Sequence, residues 1–184
     1  YDIYNETKGN IRTEATLGFG VKIPIGSHTD TIETVPGVWD LIPPTIQLTT
    51  GGTDLMLYSF FLREYKKQKF RLFANSLYIR KGYNSLDEKF GDYTSISLFA
   101  SKTFFRKWGL TTQLKGESVG QLQINQAKKE KFELDENYFE KITWEEKREA
   151  TGSEKLIFIP QLSYSQNGIT IFATSEIPLY QYLN

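Results

Sequence analysis

The sequence predicts an all-β chain, folded as an antiparallel up-and-down meander that closes into a barrel. Three observations predict it. Stretches of about ten residues alternate apolar and polar side chains, the period of a strand rather than of a helix. Turn residues punctuate those stretches, above all Asn167-Gly168, which tolerates the positive φ of a tight hairpin turn. The connections between stretches alternate short and long without exception.

Residues 1–13 are polar, with a turn signal at Lys8-Gly9-Asn10, and promise no more than a short strand end. Residues 14–25 are the cleanest strand. Ala15, Leu17, Phe19, Val21, Ile23 and Ile25 form one face, against Thr16, Gly18, Gly20, Lys22 and Pro24. A long connection, 26–51, holds Pro36-Gly37 and Pro43-Pro44. Residues 53–63 form a strand apolar on both faces, with Leu55, Leu57 and Phe61 opposite Met56, Tyr58 and Phe60, so alternation alone does not orient it. A charged link at 64–69 leads to a strand at 70–80 and a medium loop at 81–91. Strands at 92–105 and 108–116 flank a tight turn at Arg106-Lys107. A long charged segment, 117–153, precedes the final hairpin at 154–179. There Leu156, Phe158, Pro160, Leu162 and Tyr164 share a face, as do Ile169, Ile171, Ala173 and Ile177. No charge lies between Lys155 and Glu176, but Pro160, Asn167 and Gly168 break any spanning helix.

In a meander, alternate connections lie at opposite ends. One end here has tight turns and the other large loops, the layout of a bacterial outer-membrane barrel with short periplasmic turns. Strands of about ten residues suit the tilted span. The reading is therefore a transmembrane β-barrel forming a single domain over residues 1–184, with long loops at 26–51 and 117–153 on the outer side. Seven strands are counted, whereas single-chain barrels normally hold an even number. Either residues 1–5 supply part of an eighth or the barrel is larger, and the second is favoured.

Composition removes other classes. Twenty-two basic and 22 acidic residues give a formal net charge of zero, without the basic footprint of a nucleic-acid binder. Zero cysteines exclude thiol catalysis, disulfides and thiolate metal sites. His28, the one histidine, is expected to be a solvated loop residue. No G-x-S-x-G elbow is present, and no helix follows Gly18-x-Gly20 or Gly51-Gly52, so phosphate-loop readings fail. No enzymatic activity, metal or cofactor is expected.

The segment 117–153 is expected to be a solvated extracellular loop of mixed charge. The sharper alternative is docking of an envelope protein or binding of calcium through Glu133, Asp135, Glu136 and Glu140, which lack the ligand spacing and Gly of a hand-type loop.

The run from Leu17 to Gly26 (LGFGVKIPIG) resembles a strand-plus-loop segment of bacterial outer-membrane proteins of the phenol-degradation-pathway transporter type. PPTIQLTTGGTD, from Pro43 to Asp54, resembles that family's loop before the next strand. IPQLSY from Ile159 and IPLYQ from Ile177 resemble its late strands. The chain departs in having Thr49-Thr50-Gly51-Gly52 where the family usually has a Gly at the second residue after the Gln, and a Trp before the Asp. The resemblance implies location in the bacterial outer membrane and passage of small hydrophobic or metal substrates.

On the strands that alternation orients, the polar side chains expected to line or plug a lumen are Thr16, Lys22, Ser95, Gln113, Lys115, Gln161, Thr174 and Glu176. Tyr58, Tyr78, Tyr93, Trp108, Tyr164 and Tyr180, near strand ends, suit an interfacial aromatic girdle. The preferred function is a channel or transporter for small molecules whose partner is the lipid bilayer. One alternative is a soluble lipocalin-like ligand-binding barrel, in which the apolar row of residues 15–25 would point inward. Another is a structural barrel subunit of an envelope complex, recognised through 117–153.

Overall fold

The structure, a computed structural model, describes residues 2–42, 46–124 and 152–183. In chain order its strands are β1 (Asp2–Lys8), β2 (Ile11–Lys22), β3 (Thr31–Val35), β4 (Val38–Leu41), β5 (Asp54–Tyr65), β6 (Phe70–Arg80) and β7 (Glu88–Lys89). They continue with β8 (Tyr93–Phe104), β9 (Trp108–Val119), β10 (Gln123–Ile124), β11 (Ser153–Gln166), β12 (Ile169–Thr174) and β13 (Ile177–Leu183).

One sheet dominates, ordered β1-β2-β5-β6-β8-β9-β11, with β12 and β13 both on the far side of β11. Every neighbouring pair is antiparallel. β12 pairs the second half of β11 and β13 the first, so the two act as one edge strand interrupted at residues 175–176. Pro160 explains the interruption. The Ser175 N–H donates to the Pro160 carbonyl at 3.2 Å, and opposed residues of such a pair would normally exchange two bonds. Proline has no N–H with which to return the second.

The sheet is thus an eight-stranded meander. β1 supplies the strand that residues 1–13 did not promise, because its Asp2, Asn5, Glu6 and Lys8 show no apolar alternation. Among the described residues no pairing joins β1 to β12 or β13, so the sheet is open at those edges and the expected barrel closure is not seen. β2 stops at Lys22, before Pro24, so the long connections are 23–53 and 120–152 rather than 26–51 and 117–153. The first contains the β3–β4 hairpin around Pro36-Gly37. β7 pairs β10, tying the loop after β6 to the loop after β9. The β11–β12 hairpin turns on Asn167 (φ 53°) and Gly168 (φ 78°), the paired positive φ that an Asn-Gly turn accommodates.

Directly opposed residues of an antiparallel pair share a face. One row runs Ala15, Phe61, Ala74, Leu98, Leu114, Phe158, Ile177. The adjacent row, on the other face, runs Thr16, Phe60, Asn75, Ser97, Lys115, Ile157. The apolar face is the open one: Phe19 is 73% exposed and Leu98 55%. The polar face is the crowded one, with Ser97 at 2% and Asp54 at 1%. Among the described residues no hydrophobic side chain is buried. Apolar burial, the usual driving force of folding in water, is left undone across the whole sheet.

Candidate functional site: the polar face and its rim

Register carries Thr16, Lys22, Ser95, Gln113, Lys115, Gln161 and Thr174 onto the polar face. Gln161 lies between Thr111 and Thr174, Ser95 opposite Glu117, and Lys22 opposite Asp54. The Gln113 amide donates to Ser97 Oγ at 3.2 Å. Glu176 falls in the break between β12 and β13, near enough to act electrostatically on Lys115. Pairing of β5 with β2 also orients the strand that alternation left open. Leu57 opposes Phe19 on the apolar face, so Met56, Tyr58 and Phe60 join the polar one. Gly18 and Gly20 make room there: a Cβ on Gly20 would come within 2.9 Å of the Met56 methyl. Phe73 and Phe99 stack on the same face, nearer the short turns, with centroids 4.3 Å apart.

Charges on this face come in pairs. Arg12 meets Glu14 at 2.5 Å, Arg71 meets Glu64 at 2.7 Å, and Lys115 meets Glu117 at 2.8 Å. The Tyr93 hydroxyl also donates to Glu117, at 2.8 Å. Sequence reasoning missed Arg12, Glu64, Arg71 and Glu117 because they fall outside the strand limits it drew or on a strand it did not orient. Strand parity was the signal that contained them.

At the rim beside the long loops, Asp54 holds the strand ends together. Its carboxylate accepts from Lys81 Nζ at 2.9 Å and from the Gly82 N–H at 3.3 Å, with Lys22 Nζ 3.6 Å away. Asp92, just before β8, accepts from the Lys81 N–H at 2.9 Å and the Tyr78 hydroxyl at 3.0 Å, and meets Lys89 at 3.1 Å. Burial pushes the Asp92 carboxyl up, but the Lys81 N–H, Lys89 and Tyr78 together outweigh it and hold it below its ordinary value.

The loops lean on one another above this rim. The buried Asn84 donates to the Thr50 carbonyl at 3.3 Å and accepts from the N–H groups of Leu86 and Glu88. His28 is not a free solvated residue. Its Nε2 lies 2.8 Å from Ser85 Oγ, and its ring covers Gly51, whose φ of 73° and close contact leave no space for a side chain.

Of the six residues expected in an aromatic girdle, Tyr78, Trp108, Tyr164 and Tyr180 share the apolar face, with Trp108 and Tyr164 rings 4.8 Å apart at the short-turn end. Tyr58 and Tyr93 belong to the polar face instead, opposite Gly18 and Val119.

Among the described residues no carboxylate is bonded to the His28 ring, and no group of three or more His, Asp or Glu side chains is disposed to hold a metal ion. The carboxylates of the loop segment, Glu133, Asp135, Glu136 and Glu140, lie outside the described residues. What the site offers is a surface of paired charge, hydroxyls and stacked rings. Compared with family models, with curated proteins and with solved structures, the chain matches none.

Proposed function

We propose that the chain forms the wall of a bacterial outer-membrane β-barrel and acts as a channel or transporter for small molecules, without catalysis. The observation that carries this reading is the slope of the apolar band. Relative to the row through Ala15 and Phe158, the band on β2, its unbroken apolar run, spans residues 15–21 and centres three residues toward the long loops. On β6 and β8 it centres on the row, at Ala74 and Leu98. On β11 it spans residues 156–164 and centres two residues toward the short turns. The shift is five residues over five strand-to-strand steps. That is about 1.0 residue per step, and strands 4.8 Å apart inclined at 35–45° require roughly 1.0–1.5 for a band to stay level. A lipid belt around tilted strands has this slope.

The exposed side of that band supports the membrane over the lipocalin-like alternative. A soluble barrel would turn Phe19 and Leu98 inward and Ser97 outward, the reverse of their exposures. Over eight strands the same stagger amounts to about 8–12 residues, which would set Tyr4 against the Asn167-Gly168 turn. In the described sheet the ladders place Tyr4 on the row of Ile177, and no pairing joins the two edges. With both edges unpaired among the described residues, we take the described strands as part of a wall completed by further strand pairing. Kinship with the phenol-degradation-pathway transporters is part of this proposal and rests on the runs beginning at Leu17 and Pro43. Recognition of an envelope partner through 117–153 falls largely outside the described residues.

Fractionation with heat-modifiability tests the reading. The protein should sediment with outer membranes, need detergent for extraction and change mobility on boiling. A detergent-independent soluble protein whose mobility ignores boiling would contradict it.

A further inference from the structure

Resting on the channel reading, we propose that the polar face passes solutes without selecting them by charge, and that Glu64 and Glu117 maintain this neutrality. Four ion pairs join eight of the charged side chains on the strands of this face: Arg12 with Glu14, Arg71 with Glu64, Lys115 with Glu117, and Lys22 with Asp54. The remaining three are Lys155, directly opposite Glu117, Glu176 in the break between β12 and β13, and Asp2, whose carboxylate accepts from the Thr16 hydroxyl at 2.9 Å. Five cations thus face six anions, and Lys81 Nζ, 2.9 Å from Asp54 at the rim, supplies the sixth positive charge.

The pairs are also spread along the strands. Arg12, Glu14, Glu64 and Arg71 sit toward the short turns, the Lys115–Glu117 group lies midway, and Lys22 and Asp54 stand at the loop rim. Ion selection needs a ring of like charge at one level. Here every level carries both signs, and the residual field of each pair fades within about 8 Å in physiological salt. The solutes that fit are uncharged or zwitterionic small molecules able to pass Phe60, Phe73 and Phe99, which share this face.

The test reconstitutes the full-length protein in planar bilayers and reads the potassium-to-chloride permeability ratio under a salt gradient. The wild-type ratio should lie within about twofold of unity, and the Glu64→Gln, Glu117→Gln double variant should shift at least about threefold toward chloride, because Arg71, Lys115 and Lys155 lose their counter-charges. Each variant is accepted only if it still inserts and remains heat-modifiable. A wild-type ratio beyond about fivefold in either direction, or a folded double variant with an unchanged ratio, would overturn the inference while leaving the channel standing. Properly inserted protein that conducts nothing would overturn the channel reading and this inference with it.

Discussion

Lys81 Nζ stands 2.9 Å from the carboxylate of Asp54, a side chain only 1% exposed. The contact joins the first residue of β5 to the residue after β6, and Lys22 at the end of β2 closes on the same carboxylate. Three strand ends meet on one buried charge. Removing the carboxylate leaves Lys81, 18% exposed, unmatched, while Lys22, 45% exposed, stays in water.

Asp54→Asn should therefore destabilise the protein by on the order of 3 kcal/mol, by leaving the Lys81 ammonium without its counter-charge. Lys81→Met should cost less, on the order of 2 kcal/mol, because Lys22 and the Gly82 N–H still hold the carboxylate. Urea titration of protein folded into detergent micelles reads both. Midpoints equal to that of the parent would show that the cluster is incidental.

Leu98 lies on the apolar face at the centre of β8, beside Leu114. Leu98→Arg should cost about 2–4 kcal/mol of folding free energy in bilayers if this face meets lipid near the midplane. Ser101→Arg, on the polar face, should cost under about 1 kcal/mol, since water and neighbouring polar groups remain available. Equal penalties would mean that the two faces do not differ in environment.

The Asp92 carboxyl titrates below its ordinary value, so its bonds stabilise the folded loop above about pH 3.9, the unfolded value. That contribution is lost as pH falls through the lower folded value. Amide exchange in residues 81–92 should accelerate in that acid range, and Asp92→Asn should remove the acid step while raising exchange at neutral pH. A loop whose exchange is independent of pH after correction for chemical rates would refute the assignment.

Gly168 holds a φ of 78° in the β11–β12 turn. Gly168→Val should cost about 1–2 kcal/mol, from forcing a branched side chain into the left-handed region. Asn167→Gly should be nearly neutral, since glycine enters that region freely. Refolding yields into vesicles compare the two.

Much of the wall was legible from period alone. Residues 14–25 alternate cleanly, and 92–105 and 154–179 do so apart from Phe99, Ile157, Ile159 and Phe172, which are apolar on the polar face. β5 resisted orientation because Met56, Tyr58 and Phe60 make its polar-side positions apolar too, and only pairing with β2 resolves it. β1 was legible only as a possible short strand end, because it lies toward the short-turn side of the sloping band, where Glu6 and Lys8 occupy positions that are apolar further along the sheet. The rim cluster was illegible for another reason. Asp54 reads as an ordinary polar residue after Gly51-Gly52, and nothing local reveals that Lys22 and Lys81, far apart in sequence, converge on it.

The absence of native cysteine makes one measurement decisive, because a single introduced thiol reports one position. Leu98→Cys, Leu114→Cys, Ser97→Cys and Gln113→Cys would each be spin-labelled in bilayers, and collision with oxygen compared with collision with a water-soluble relaxant. Labels at 98 and 114 should favour oxygen, as lipid-facing sites do, and labels at 97 and 113 the aqueous reagent. The opposite alternation, or none, would contradict the assignment of the apolar face to lipid.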